Sequence, residues 1–250
     1  MNDGRPEAGS PSRESAGRRT VLRAAVGGAS VLGAMGVLGS GTAIAEPRPA
    51  DSPRTRPRTP TASLQLLTEG NRRWRTLSQR YPHHDLAART RAISGQSPFA
   101  IVLGCVDSRV PPELVFDRGI GDLLTARSAA QVLDQAVVGS IEYGVLALGI
   151  PLVLVLGHQS CGAVKAAIEA DRTGETLPGS IQYLAEQIRP AIDRSQTGDA
   201  QVRATTDAQI QLVKAQLSAN PQLSPRIADG RLAVAGARYD LTSQSVHLLT

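Results

Sequence analysis

From Phe99 onward the chain alternates short unbroken apolar runs with longer stretches whose apolar residues recur every three or four positions. The runs at 99–103, 123–126 and 152–156 have strand length and are rich in Val, Leu and Ile. An unbroken run, rather than an alternating one, predicts a strand covered on both faces. Between them, Pro111-Pro112 predicts a short helix that ends before Gly119. The stretch 133–148 predicts a longer one, with Val137, Ile141 and Val145 among its apolar positions. Further helices are predicted from 161 to 170, 181 to 193 and 199 to 218. In the last of these Val202, Ile210, Val213 and Leu217 keep mostly helical spacing. A core strand at 232–239 and an edge strand at 246–249 complete the pattern. Strands alternating with helices predict an α/β fold, a single domain with a mainly parallel central sheet flanked by helices.

Upstream the pattern changes. Residues 63–76 predict a helix with Leu64, Leu67 and Trp74 near one face and Gly70-Asn71 as a weak point. Residues 81–96 are mixed and partly helical. Residues 46–60 hold five prolines and four arginines, an extended linker without the means to form a core. Residues 1–45 read as a targeting segment. Arg18-Arg19 precedes an apolar, glycine-rich stretch that ends in Ala43-Ile44-Ala45, a small-x-small cleavage pattern predicting a mature start at Glu46. The paired arginines, the long polar lead and the weak hydrophobicity resemble a twin-arginine export signal. Six glycines between Gly27 and Gly41 make that stretch a poor membrane span. The expected location is outside the cytoplasmic membrane: secreted, periplasmic or at the cell surface. The domain is expected over 61–250.

Composition narrows the function. Aromatic residues are 3% of the chain, so the core is aliphatic. The net charge of +5 comes from 27 basic and 22 acidic residues, with arginines dense in the first sixty positions. No basic stripe interleaved with aromatics follows, which argues against nucleic-acid binding.

The two cysteines stand just past the ends of two predicted strands, in Cys105-Val106-Asp107-Ser108-Arg109 and His158-Gln159-Ser160-Cys161. Ligands of parallel sheets gather at those carboxyl ends. A lone cysteine pair in an exported protein also admits a disulfide. The neighbouring His, Asp and Arg favour a tetrahedral zinc site instead. Cys161 opens a helix, whose positive end favours the thiolate. Gly157 and Gly162 are expected to give the backbone room around the metal. Asp107 has two available states. It is either a fourth metal ligand, or a carboxylate held off the metal by the two-pronged guanidinium of Arg109. The second state leaves a metal position open to water. Export of an already folded chain fits a metal reading, because thiolates load zinc best in a reducing compartment.

Cys105-x-Asp107-Ser108-Arg109 followed by Gly157-His158-x-x-Cys161-Gly162-Ala163 resembles the β-class carbonic anhydrases. Gly70-Asn71-Arg72-Arg73-Trp74, Val110-Pro111-Pro112-Glu113, Phe116-Asp117-x-Gly119-x-Gly121-Asp122, Gly139-Ser140-Ile141-Glu142-Tyr143 and Gly236-Ala237-x-Tyr239-x-Leu241 extend the likeness from about Ser63 to the C-terminus. The resemblance implies reversible hydration of carbon dioxide to bicarbonate by a zinc-activated water. Cys105, His158 and Cys161 would hold one zinc per subunit, with Asp107 and Arg109 as the catalytic dyad. It implies homodimers or dimers of dimers, with the N-terminal helix extending onto a partner subunit.

Two positions depart from the family pattern. The usual Arg-x-Ala-Gly-Asn after the second strand is here Arg127-Ser128-Ala129-Ala130-Gln131. A tryptophan that some members place three residues before the first cysteine, associated with an inhibitory bicarbonate pocket, is here Val102; that pocket is expected to be absent and Asp107 off the metal. Rival readings are carbonyl sulfide or carbon disulfide hydrolysis on the same scaffold, a thiol enzyme using Cys105, and a non-catalytic zinc-stabilised binding domain. His83-His84 and His247 read as surface residues, Trp74 as core or interface, and Glu113 as a stabiliser of the first turn of its helix.

Overall fold

A computed structural model of the protein describes residues 56–250. The predicted export signal and most of the linker lie outside the described residues. A five-stranded sheet has the order β2-β1-β3-β4-β5, built from β1 (Ala100–Gly104), β2 (Leu123–Arg127), β3 (Leu152–His158), β4 (Ala233–Tyr239) and β5 (Val246–Leu249). The first four strands are parallel, and β5 runs antiparallel to β4 at the edge. The predicted α/β architecture is therefore the observed one.

Successive strand residues face opposite sides of a sheet, and β1 and β3 are buried along their whole length. Ile101, Leu103, Val153 and Val155 pack with Ile141 and Val145 of α4 (Gln135–Leu146) and with Ile210, Val213 and Leu217 of α7 (Gly198–Ser218). Val102, Leu152, Leu154 and Leu156 pack on the other side with Leu67 of α1 (Pro60–Arg75) and with Val115 and Phe116, at the end of α3 (Pro112–Val115). Val102 is fully buried there.

Several elements differ from the pattern-based expectation. The helix expected from 63 begins at Pro60, because Thr59 caps it by accepting from the Ala62 N–H. Gly70-Asn71 is not a weak point. A Cβ at position 70 would lie 1.8 Å from the Phe116 carbonyl, so glycine allows the close approach of α1 to α3. Asn71 donates to the Val115 and Gln244 carbonyls and accepts from the Val246 N–H, tying α1 to β5. Arg73 adds a buried ion pair with Asp117 at 2.5 Å. The mixed stretch 81–96 holds one helix, α2 (Leu86–Ala92), capped by Asp85. The helix predicted over 181–193 stops earlier, as α6 (Ile181–Ile188), and Pro190 lies in a short 3-10 turn beyond it. A short α8 (Ser224–Ala228) was not expected.

Asp134 caps α4, and Cys161 is the residue before α5 (Gly162–Thr173). No helix among the described residues is long and apolar enough to cross a membrane.

Candidate metal centre

The chain leaves β1 toward β2 on one side, while β3 pairs with β1 on the other. This is a switch point of the sheet, where a crevice opens past the strand ends. Gly104 is in register with Leu156, so Cys105 and His158 emerge side by side. After His158 the chain turns sharply, with Ser160 at a φ of 55°. Gln159 pins that turn: its N–H donates to the Tyr239 carbonyl, and its Oε1 accepts from the Leu241 N–H. The turn returns Cys161 to the same point.

The side-chain ligand atoms of Cys105, His158 and Cys161 all lie within 4.8 Å of one another, and all three residues are buried. His158 shares its Nδ1 with the Gln159 carbonyl at 2.9 Å, which directs Nε2 toward the sulfurs. Nε2 is buried without a hydrogen-bond partner. The cysteines are free thiols, not a disulfide. The neighbouring Cys161 thiol holds the Cys105 pKa down against the opposing effect of burial. The same contact, with burial, drives the Cys161 pKa up. Burial opposes charge on the His158 imidazole, but the proximity and negative charge of Cys105 outweigh it and raise the pKa. Two sulfurs and an orphaned imidazole nitrogen converging in a buried site form a donor set that suits a tetrahedral divalent metal. A metal held by these three residues would displace the thiol protons of the cysteines.

Asp107 stands beside this trio. Its Oδ2 is 3.8 Å from His158 Nε2. Arg109 turns both carboxylate oxygens toward itself, donating Nε to Oδ1 at 2.9 Å and Nη2 to Oδ2 at 2.7 Å. The Arg109 N–H adds a third bond to Oδ1 at 3.0 Å. These bonds hold the Asp107 carboxyl well below the usual carboxylate range. Of the two states open to Asp107, this structure holds the one paired with Arg109.

Sequence reasoning missed two supports. Arg127, at the end of β2, donates Nε to the Cys105 carbonyl and Nη2 to the Asp107 carbonyl, both at 2.7 Å. It braces the loop carrying both functional groups. The signal was its place in the Arg-x-Ala motif. The Ala130 N–H donates to the Cys105 sulfur at 3.4 Å, and nothing in the residue type announces a backbone donor.

Other expectations need correction. Gly157 does not make room for a metal: a Cβ there would meet Ile210 of α7 at 2.5 Å, and a Cβ at Gly162 would meet nothing within 4 Å. His83-His84 lies in a surface turn as expected, and that turn is tethered. His83 Nδ1 lies 2.8 Å from Asp122 Oδ1, and His84 Nε2 lies 3.2 Å from the Arg118 carbonyl. Glu113 does sit in the first turn of α3, but it also accepts from the Thr125 hydroxyl at 2.6 Å, linking α3 to β2. Trp74 packs against the core and donates to the Tyr239 hydroxyl.

Residues 100–246 match the carbonic anhydrase family. Carbonic anhydrase 2 of Mycobacterium tuberculosis is 39% identical over 188 residues, covering 73% of this chain and 89% of that protein. A carbonic anhydrase of Mycolicibacterium smegmatis is 36% identical over 197 residues, covering 76% of this chain and 93% of that protein. The crystal structure of the β-carbonic anhydrase CafA of Aspergillus fumigatus superposes with a TM-score of 0.60 at 25% identity, covering 76% of this chain and 89% of that one. Fold, Cys-His-Cys cluster and relatives agree: this chain belongs to the β-carbonic anhydrase family.

Proposed function

We propose that the protein hydrates carbon dioxide reversibly to bicarbonate and a proton, with one zinc ion per subunit held by Cys105, His158 and Cys161. The observation that carries this reading is the bonding of Asp107. Both its oxygens are engaged by Arg109, so the buried trio stays one ligand short of four. A closed structural site would use all four positions, and a hydrolytic one keeps the last for water. Zinc, when bound, supplies Lewis acidity that brings the pKa of water toward about 7.

The remaining work falls to this chain's own residues. Asp107, ionised and accepting only, takes the hydrogen bond of the reacting water and points its lone pair outward. Arg109 keeps the carboxylate from swinging onto the metal. Arg127 fixes the backbone on which both Cys105 and Asp107 stand. The water oxygen forms the new bond to carbon, one proton leaves to buffer, and bicarbonate is released. Asp107 keeps its charge throughout. Arg109, at the mouth, faces the departing anion.

Homodimers or dimers of dimers are part of the same proposal. The face of α1 that carries Leu67, Gly70 and Asn71 is spent on its own subunit. Exposed Leu77, Leu86 and Ile93 nearby support an apolar contact with a partner. The paired Arg18-Arg19 supports export by the twin-arginine route. The test is a stopped-flow hydration assay with zinc content measured on the same sample. The proposal expects about one zinc per chain and hydration that falls when the metal is chelated and returns on adding zinc. A zinc-loaded, folded protein without hydration activity contradicts it.

A further inference from the structure

Two buried amides lie on or against the turn at Ala129–Gln131, whose Ala130 N–H meets the Cys105 sulfur. Gln131 is 2% exposed and Gln209 is 1% exposed. Gln131 Nε2 and Gln209 Oε1 have no hydrogen-bond partner. A buried polar atom left unpaired costs on the order of 1–3 kcal/mol. A leucine on the buried face of α7 would avoid that cost, so the amide at 209 calls for another explanation.

Its other end supplies one. Gln209 Nε2 donates to the Ala130 carbonyl at 3.4 Å. The Ala130 N–H in turn donates to the Cys105 sulfur. Ala130 has a φ of 50° and Gln131 a φ of 58°, both left-handed, where the family pattern has glycine and asparagine. A side chain in that region costs roughly 1–2 kcal/mol per residue, so this turn is held rather than relaxed. Ser128 closes its outline: its carbonyl accepts from the Gln131 N–H, and its hydroxyl donates to the Val132 carbonyl. Gln209 reaches the Ala130 carbonyl from a different element of the fold.

We propose that Gln209 is a positioning residue for the metal centre: by holding the Ala130 carbonyl it keeps the strained turn closed and the Ala130 N–H on the Cys105 sulfur. An N–H···S bond draws charge from a thiolate and so sets how strongly it donates to a metal. Gln209 touches neither metal ligand nor substrate; it acts through one backbone residue. The inference rests on the reading of Cys105 as a metal ligand.

The test uses the full-length protein loaded with cobalt(II). It reads the sulfur-to-cobalt charge-transfer absorption and the cobalt affinity. Gln209→Leu is expected to shift the band to longer wavelength, because the sulfur regains charge, and to weaken affinity about 10–100-fold, because Cys105 is no longer held in place. Adding Ala130→Gly to that variant restores both, because glycine adopts a φ of 50° without the tether. Gln209→Met, which keeps the length but not the donor, carries the same expectation if the leucine variant fails to fold. A merely structural amide would lower thermal stability, leave the band in place and gain nothing spectroscopic from Ala130→Gly. An unmoved band, or a shift that Ala130→Gly does not reverse, overturns the inference. Failure of the unaltered protein to bind cobalt overturns the metal reading itself and this inference with it.

Discussion

The side chain of His158 is fully buried, whereas those of Asp107 and Arg109, at the mouth of the same site, are 17% and 52% exposed. Cys105, His158 and Cys161 come from the ends of two adjacent strands and the start of a helix, and the folded core holds them together. The dyad comes from one loop and is held by bonds between residues two apart. The difference matches the roles proposed for the two halves. Ligands that converge on a metal gain from being unable to relax. A pair that handles water and substrate must stay reachable, so its geometry comes from a rigid two-pronged ion pair rather than from burial. Arg127 links the two halves through the loop backbone.

The comparison predicts unequal damage from breaking each half. Removing a buried ligand, as in His158→Ala, leaves two sulfurs without their third partner. Metal content should fall far below one per chain and hydration to background, as read by metal analysis and stopped flow. Arg109→Lys should be milder. A lysine is a point charge and cannot bind both carboxylate oxygens in a plane, so Asp107 is freed to approach the metal. Zinc should stay bound while kcat falls on the order of 10–100-fold, the range for supporting contacts of a metal site. The smallest effect concerns stability alone. Ala130→Gly relieves one left-handed alanine and should add about 0.5–1 kcal/mol, raising Tm by roughly 1–4 °C. An unchanged or lowered Tm would mean that the turn is not strained at that residue.

How much of this was legible in the sequence follows the same division. Unbroken apolar runs announced β1 and β3, because strands buried on both faces carry no polar positions. The two cysteines, their histidine and the Asp-x-Arg spacing were visible because each motif is local. What escaped was built by contacts between distant segments. Gly70 reads as a helix breaker until Phe116 is placed against it. Gly157 reads as part of the metal loop until Ile210 is placed over it. His83 gives no sign of its contact with Asp122, 39 residues on. Ala130-Gln131 is visible in the sequence as a departure from the family pattern, but only the backbone angles show that it sits where glycine is easiest to accommodate. In α7, Gln209 follows a helical pattern that gives no sign of its reach to Ala130.

In the proposed function three residues hold the metal, while Asp107, within reach of it, does not hold it and is needed for turnover. Asp107→Asn tests this most directly, with zinc content and carbon dioxide hydration measured on one preparation. The variant should keep about one zinc per chain and lose hydration about 100-fold or more, within the range for groups that position a reacting proton. Retained zinc with undiminished hydration would contradict it.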